Sequence, residues 1–256
     1  MLYSDTRTPI ASSGRVVLLH GFTQTRRSWS LAAAALFDAG FEVVAVDAPG
    51  HGGSRNSRVD LWGAAQELIE AGGPATYVGY SMGARIALHA ALAAPSAVQR
   101  LVLLSATAGI DRASERSERR ASDEELARAL ERDGLEAFLG RWMKNPMFAT
   151  LTREAAATSD RLDNSVDGLA SSLRLCGTGS QDPPLWDRLG ELTMPTLVVA
   201  GALDVKFAAL ARRLAAAVGP AASLRLIAEA GHAAHLEKPA EFVAVVLQFL
   251  LGNPSP

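Results

Sequence analysis

Cysteine is almost missing from this 256-residue chain: the single one, Cys176, leaves no internal disulfide and no cysteine-built zinc site. Lysine occurs only at positions 144, 206 and 238, so arginine supplies nearly all of the 25 basic residues. Charge of one sign is not in excess either. A formal net charge of −2 gives the molecule no basic field for nucleic acid or an anionic membrane. Long apolar runs are lacking too. The tract at 242–251 is interrupted by Gln248 and falls well below the ~20 residues that span a bilayer, so no membrane insertion is expected. The opening Met1-Leu2-Tyr3-Ser4-Asp5-Thr6 has neither the basic stretch nor the apolar run of a secretory signal, and a cytoplasmic location is expected.

What is present is a sizeable core. Apolar residues make up 48% and charged residues 20%, a balance that argues against disorder. Continuous aliphatic runs at 15–20, 43–47, 75–80, 101–105, 196–201 and 223–227 read as strands covered on both faces. Helix-length segments separate them, at 29–39, 61–71, 82–94, 207–218 and 240–251. Strand alternating with helix predicts an α/β fold, a mostly parallel sheet flanked by helices.

One stretch breaks the alternation. No convincing strand occurs between 109 and 190, and residues 114–136 are dense in alternating charge, which reads as exposed helix. A helical cap at 109–190, inserted after the strand at 101–105, is therefore expected over a core made of 1–108 and 191–256. Open α/β sheets bind ligands at the carboxyl ends of their strands, which such a cap would cover.

The sharpest chemical signal is Gly79-Tyr80-Ser81-Met82-Gly83, between a strand and a helix. A nucleophile elbow needs that context: the turn is so tight that the flanking positions must be small, and the serine hydroxyl is presented at a helix N-terminus. A serine is a poor nucleophile or base unless a histidine, oriented by a carboxylate, activates it. Both follow in chain order, Asp204 after the strand at 196–201 and His232 after that at 223–227. His235 competes with His232 as the base, but only His232 carries an adjacent glycine, Gly231. Developing negative charge would be met by the backbone N–H of Met82 and, after Gly21, that of Phe22. His20 and His51 read as braces of their loops. No phosphate loop or metal-binding motif is present, so neither metal nor cofactor is called for.

Arg85 lies four residues after Ser81, about 6 Å along the helix axis. A cation in a helix's first turn opposes the macrodipole by ~0.3–1 kcal/mol, so an anion is expected beside it. A structural salt bridge and an anionic substrate both satisfy that expectation.

These loops resemble those of the α/β-hydrolase superfamily over nearly the whole chain. The resemblance implies a cap domain and cofactor-free catalysis by Ser81, Asp204 and His232. A closer one rests on Tyr80-Ser81-Met82-Gly83-Ala84-Arg85, Glu118-Arg119-Arg120-Ala121-Ser122-Asp123, Arg141-Trp142, Pro146-Met147-Phe148, Asp204-Val205-Lys206-Phe207 and Gly231-His232-Ala233-Ala234-His235. Together these motifs resemble the 2-succinyl-6-hydroxy-2,4-cyclohexadiene-1-carboxylate synthases of menaquinone biosynthesis, lyases that eliminate pyruvate from an enolpyruvyl, succinyl-bearing cyclohexene carboxylate. That resemblance implies a small anionic carboxylate substrate, carboxylate-binding arginines at Arg85, Arg119 and Arg161, and pocket aromatics at Tyr80 and Trp142. The chain departs from the pattern at Ala84, where glycine is usual, and in a shortened segment between Phe148 and Arg161. For Arg119 a solvated helix face is the plain alternative, and for Trp142 a place in the cap's core. Two other functions fit the same fold: a serine hydrolase of esters or carbon–carbon bonds, and a non-catalytic ligand receptor.

Overall fold

The computed structural model describes residues 1–156 and 158–252. Seven strands form one sheet: β1 (Ser4–Arg7), β2 (Arg15–Leu19), β3 (Glu42–Val46), β4 (Ala75–Tyr80), β5 (Val98–Leu104), β6 (Thr196–Gly201) and β7 (Ala222–Ile227). Their spatial order is β1-β3-β2-β4-β5-β6-β7. Every neighbouring pair is parallel except β1 against β3. The six parallel strands are those expected from the aliphatic runs. β1 was not anticipated, because Ser4-Asp5-Thr6-Arg7 is polar and mostly exposed. An edge strand with one partner needs no apolar pattern on either side, and charge there discourages pairing with another chain.

The helices are α1 (Ser30–Asp38), α2 (Leu61–Gly72), α3 (Met82–Ala93), α4 (Ala113–Asp133), α5 (Leu135–Trp142), the single turns α6 (Arg153–Ala156) and α7 (Thr158–Arg161), then α8 (Val166–Cys176), α9 (Val205–Val218), the turn α10 (Ala234–Glu237) and α11 (Pro239–Leu250). Alternation along each strand builds two apolar layers. Val17, Leu19, Tyr77, Leu101, Leu103 and Val198 pack with α2, α3 and α9. Val16, Leu18, Val78, Val102, Leu104 and Val199 pack with α1 and α11 on the other face. All six residues of β4 and of β6 are buried, which is why these strands read as unbroken runs.

Between β5 and β6 the chain is helical, and no strand occurs there among the described residues. α4 stops at Asp133 because Gly134 takes φ 82°, earlier than the charge pattern suggests. Only Asp123, Ala127 and Leu130 of this long helix are buried. The insertion has a small core of its own, in which Leu130, Phe138, Leu139 and Leu169 meet. Each such side chain contributes about 1.5–3 kcal/mol on burial. Arg174 of α8 ties that core to α4, reaching Glu124 at 2.7 Å and Glu131 at 2.5 Å. Among the described residues no helix is long and apolar enough to cross a membrane.

Candidate active site

Because β4, β6 and β7 are parallel, the loops that follow them leave the same edge of the sheet. Ser81 occupies the junction of β4 and α3 with φ 52° and ψ −106°, a conformation that costs a non-glycine residue roughly 1–3 kcal/mol. The turn closes over β2 so tightly that a Cβ on Gly83 would lie 2.2 Å from the Leu19 carbonyl oxygen. That contact is with backbone, which cannot move aside, so the elbow's glycine is a steric requirement.

His232 Nε2 lies 3.2 Å from Ser81 Oγ, and its Nδ1 lies 2.8 Å from Asp204 Oδ2. Asp204 caps α9, its Oδ1 accepting from the Phe207 N–H at 3.1 Å. Partial burial pushes the Asp204 carboxyl up, but the hydrogen bonds from His232 and the Phe207 amide more than offset this and hold it below its ordinary value. A carboxylate so held fixes the imidazole with Nδ1 protonated and Nε2 free to take the Ser81 proton. Phe207 packs edge-on against the His232 ring at 4.4 Å.

His235 does not share this geometry. Its ring is enclosed by Trp29 and Tyr80, each at 4.4 Å, neither nitrogen has a hydrogen-bond partner among the described residues, and burial lowers its pKa to about 3. It is packing. His20 bonds the Gly21 carbonyl and the Ala48 N–H, and His51 accepts from the Thr23 N–H, so both brace the loop that carries Phe22. In that loop Gln24 closes a tight turn: its N–H donates to the Gly21 carbonyl at 3.2 Å and its Oε1 accepts from the Gly21 N–H at 3.1 Å. Neither the Phe22 nor the Met82 N–H takes part in the hydrogen bonds of the described residues, and both residues line a cavity of about 500 Å³ together with Ser81. The Phe22 ring packs edge-on to Trp142 at 5.3 Å and to Phe138 at 6.3 Å.

Arg85, Arg119 and Trp142 line the same cavity. Arg85 is 7% exposed, donates to the Cys176 carbonyl at 2.7 Å and has no carboxylate partner among the described residues. Burial brings its pKa down to about 10. The salt-bridge alternative for Arg85 is thus not what the chain builds. Arg119 is engaged through one edge only: its Nε donates to Asp123 Oδ1 at 2.8 Å, and its side chain remains 39% exposed. The terminal guanidinium nitrogens, the end-on fork that suits a carboxylate, carry no such bond among the described residues. Cys176 also lines the cavity, but burial pushes its thiol up to about 12, which removes it as a rival nucleophile.

Tyr80 and Arg161 stand apart from that chamber. They line a smaller cavity of about 30 Å³ that also borders Ser81, shared with His232, Phe148 and Trp142. Arg161 bonds the Ala156 carbonyl at 2.9 Å and the Thr23 hydroxyl, again without a carboxylate partner among the described residues, and burial lowers its pKa to about 10. Trp142 lines both cavities and also packs on the insertion's core.

Sequence reasoning missed several residues of the site. Ser105 Oγ donates to the His232 carbonyl, Glu237 accepts from the Gly231 and Ala233 amides, and Lys206 and Asp123 line the large cavity. Lys206 and Asp123 stand within quoted motifs, whereas Ser105 and Glu237 act on backbone atoms and leave no pattern of side-chain types.

Residues 16–245 match the model of the alpha/beta hydrolase family. A Bacillus subtilis (strain 168) protein provisionally named 2-succinyl-6-hydroxy-2,4-cyclohexadiene-1-carboxylate synthase is 36% identical over 93% of this chain and 91% of its own length. The synthase of that name from Salmonella paratyphi C (strain RKS4594) is 33% identical over 98% of this chain and 99% of its own. The solved structure of MenH from S. aureus superposes with a TM-score of 0.90 at 31% identity, covering 98% of this chain and 99% of that one. The chain belongs to the alpha/beta hydrolase family and within it groups with the 2-succinyl-6-hydroxy-2,4-cyclohexadiene-1-carboxylate synthases.

Proposed function

We propose that the protein is a lyase that eliminates pyruvate from 2-succinyl-5-enolpyruvyl-6-hydroxy-3-cyclohexene-1-carboxylate, giving 2-succinyl-6-hydroxy-2,4-cyclohexadiene-1-carboxylate for menaquinone biosynthesis. The observation that carries the reading is Arg85, a buried cation that makes no salt bridge among the described residues, in the same cavity as Ser81. Buried charges are paired in stable proteins, so the missing anion is the substrate's. Names borne by relatives at 33–36% identity support the same reaction.

In this reading Asp204 and His232 make Ser81 Oγ basic enough to remove the ring proton next to the succinyl carbonyl. The Phe22 and Met82 amides stabilise the oxyanion that develops on that carbonyl. Electrons from the broken C–H bond form a double bond to the neighbouring ring carbon, the ring's existing double bond shifts one position, and the carbon–oxygen bond to the enolpyruvyl group breaks. The departing enolate takes up a proton and leaves as pyruvate. Arg85, Arg119 and Arg161 hold the carboxylates, with Tyr80 and Trp142 as apolar walls. Residues 109–190 act as a cap over the core of 1–108 and 191–256. A polyanion does not cross a bilayer unaided, so the enzyme acts where its substrate is made, in the cytoplasm.

The test is to incubate the pure protein with the enolpyruvyl intermediate and follow pyruvate release. A second reading, ester hydrolysis with Ser81 as nucleophile, is favoured by the Ser81–His232 contact, which serves acyl transfer equally well. Rapid turnover of small neutral esters without pyruvate release would select it.

A further inference from the structure

The backbone on either side of His232 is gripped from two elements. Gly231 N–H donates to Glu237 Oε2 at 2.7 Å, and Ala233 N–H donates to Glu237 Oε1 at 2.9 Å. The His232 carbonyl accepts from Ser105 Oγ at 2.7 Å. Glu237 closes the turn α10 that follows the histidine loop, whereas Ser105 follows β5. Ser105 is fully buried and holds φ 50°, a left-handed conformation that a serine keeps only when its surroundings impose it. The loop has little slack where it crosses β6, since a Cβ on Gly201 would lie 2.0 Å from the Gly231 carbonyl oxygen.

These bonds do a different job from that of Asp204. Asp204 orients the ring about its own axis, whereas the distance from Nε2 to Ser81 depends on the backbone from which the ring hangs. That distance is 3.2 Å, near the long end of the hydrogen-bond range, so a displacement of a few tenths of an ångström weakens the contact steeply. Glu237 has no cationic partner among the described residues, while its neighbour Lys238 pairs with Glu229 at 2.8 Å. Both carboxylate oxygens are directed at amides of the loop, as charge-assisted bonds that water would match less well.

We infer that Glu237, seconded by Ser105, is a positioning residue that fixes the backbone of residues 231–233 and so holds His232 Nε2 in reach of Ser81 Oγ. This rests on the reading that His232 activates Ser81, and the experiment separates the two. Glu237→Ala, Glu237→Gln and Ser105→Ala are compared with the unaltered protein in two assays, with Lys238→Ala as a neighbouring control that keeps full activity. The first assay is pyruvate release from the enolpyruvyl substrate. The second is the rate of labelling by an alkyl fluorophosphonate, in which the Ser81 oxygen–phosphorus bond forms, fluoride leaves and the hydroxyl proton passes to His232.

Glu237→Ala lowers kcat by about 10–100-fold and slows labelling by a matching factor, the size expected when a reacting group is misplaced by up to an ångström. KM stays within about twofold, because no substrate contact is removed. Glu237→Gln keeps one acceptor oxygen and recovers part of the loss, and Ser105→Ala loses severalfold. Unaltered kcat and labelling in Glu237→Ala, or a rise in KM alone, overturns the inference. If Glu237→Ala does not fold, Glu237→Gln and Ser105→Ala decide on the same split between kcat and KM. A protein that takes the label but releases no pyruvate refutes the lyase reading, and the labelling rates still decide the role of Glu237.

Discussion

Replacing Arg85 by methionine distinguishes a cation kept for a ligand from one kept for the fold. Arg85 is 7% exposed and makes no salt bridge among the described residues, and its pKa is lowered by burial to about 10. A lowering of that size corresponds to roughly 3 kcal/mol by which the folded protein disfavours the charge. Arg85→Met removes that penalty and fills similar volume. Against this it leaves the Cys176 carbonyl without its 2.7 Å donor, a loss of about 1–3 kcal/mol. The two nearly cancel, so the melting temperature should hold or rise by a few degrees; for a chain of this size 1 kcal/mol moves it ~2–4 °C. Binding suffers much more. Removing one side of a buried charge pair costs about 2–5 kcal/mol, and at 1.36 kcal/mol per factor of ten the loss in kcat/KM is between about 30-fold and several thousand-fold. Thermal melts and steady-state pyruvate release on the same preparation read both quantities. A variant that melts many degrees lower yet keeps its kcat/KM would show that Arg85 serves the fold, and the anion argument would fall.

Ser81→Ala and Asp204→Asn should each reduce kcat by about four powers of ten. With the native substrate, mass spectrometry of the quenched enzyme should detect no acyl adduct on Ser81; an adduct would favour the hydrolase chemistry. His235→Leu tests the acid response. The pKa of His235 in the folded chain, about 3, lies below its unfolded value, so the unfolded state binds the extra proton first as pH falls and stability is lost below roughly pH 6.5. His235→Leu should therefore melt higher than the parent at pH 5, by an amount equivalent to about 2 kcal/mol, with little difference at pH 8; equal gains at both pH values would contradict this. Gly83→Ala drives a Cβ to 2.2 Å from the Leu19 oxygen, and overpacking of this kind costs ~1–3 kcal/mol or more. Circular dichroism melts should show that loss, and an unchanged melt would mean the elbow has room.

The parallel strands were readable because burial on both faces leaves an unbroken aliphatic run, as in the fully buried β4 and β6. Ser81, Asp204 and His232 were readable because a tight elbow and two strand-end loops constrain residue type, and the three meet in hydrogen-bond contact. β1 was not, since a polar edge strand carries no apolar signature. Arg119 illustrates a different limit. Charge density alone leaves open whether a helical arginine faces water or a pocket, and this side chain does some of each, half in water with its Nε on buried Asp123. Ser105 and Glu237 escaped because their partners are main-chain groups, which every residue type possesses.

Phe22 belongs to two parts of the molecule at once: it lines the cavity beside Ser81, while its ring packs edge-on against Phe138 and Trp142 of the helical insertion. Any shift of that insertion would therefore be passed on to the loop whose amide the proposed reaction needs.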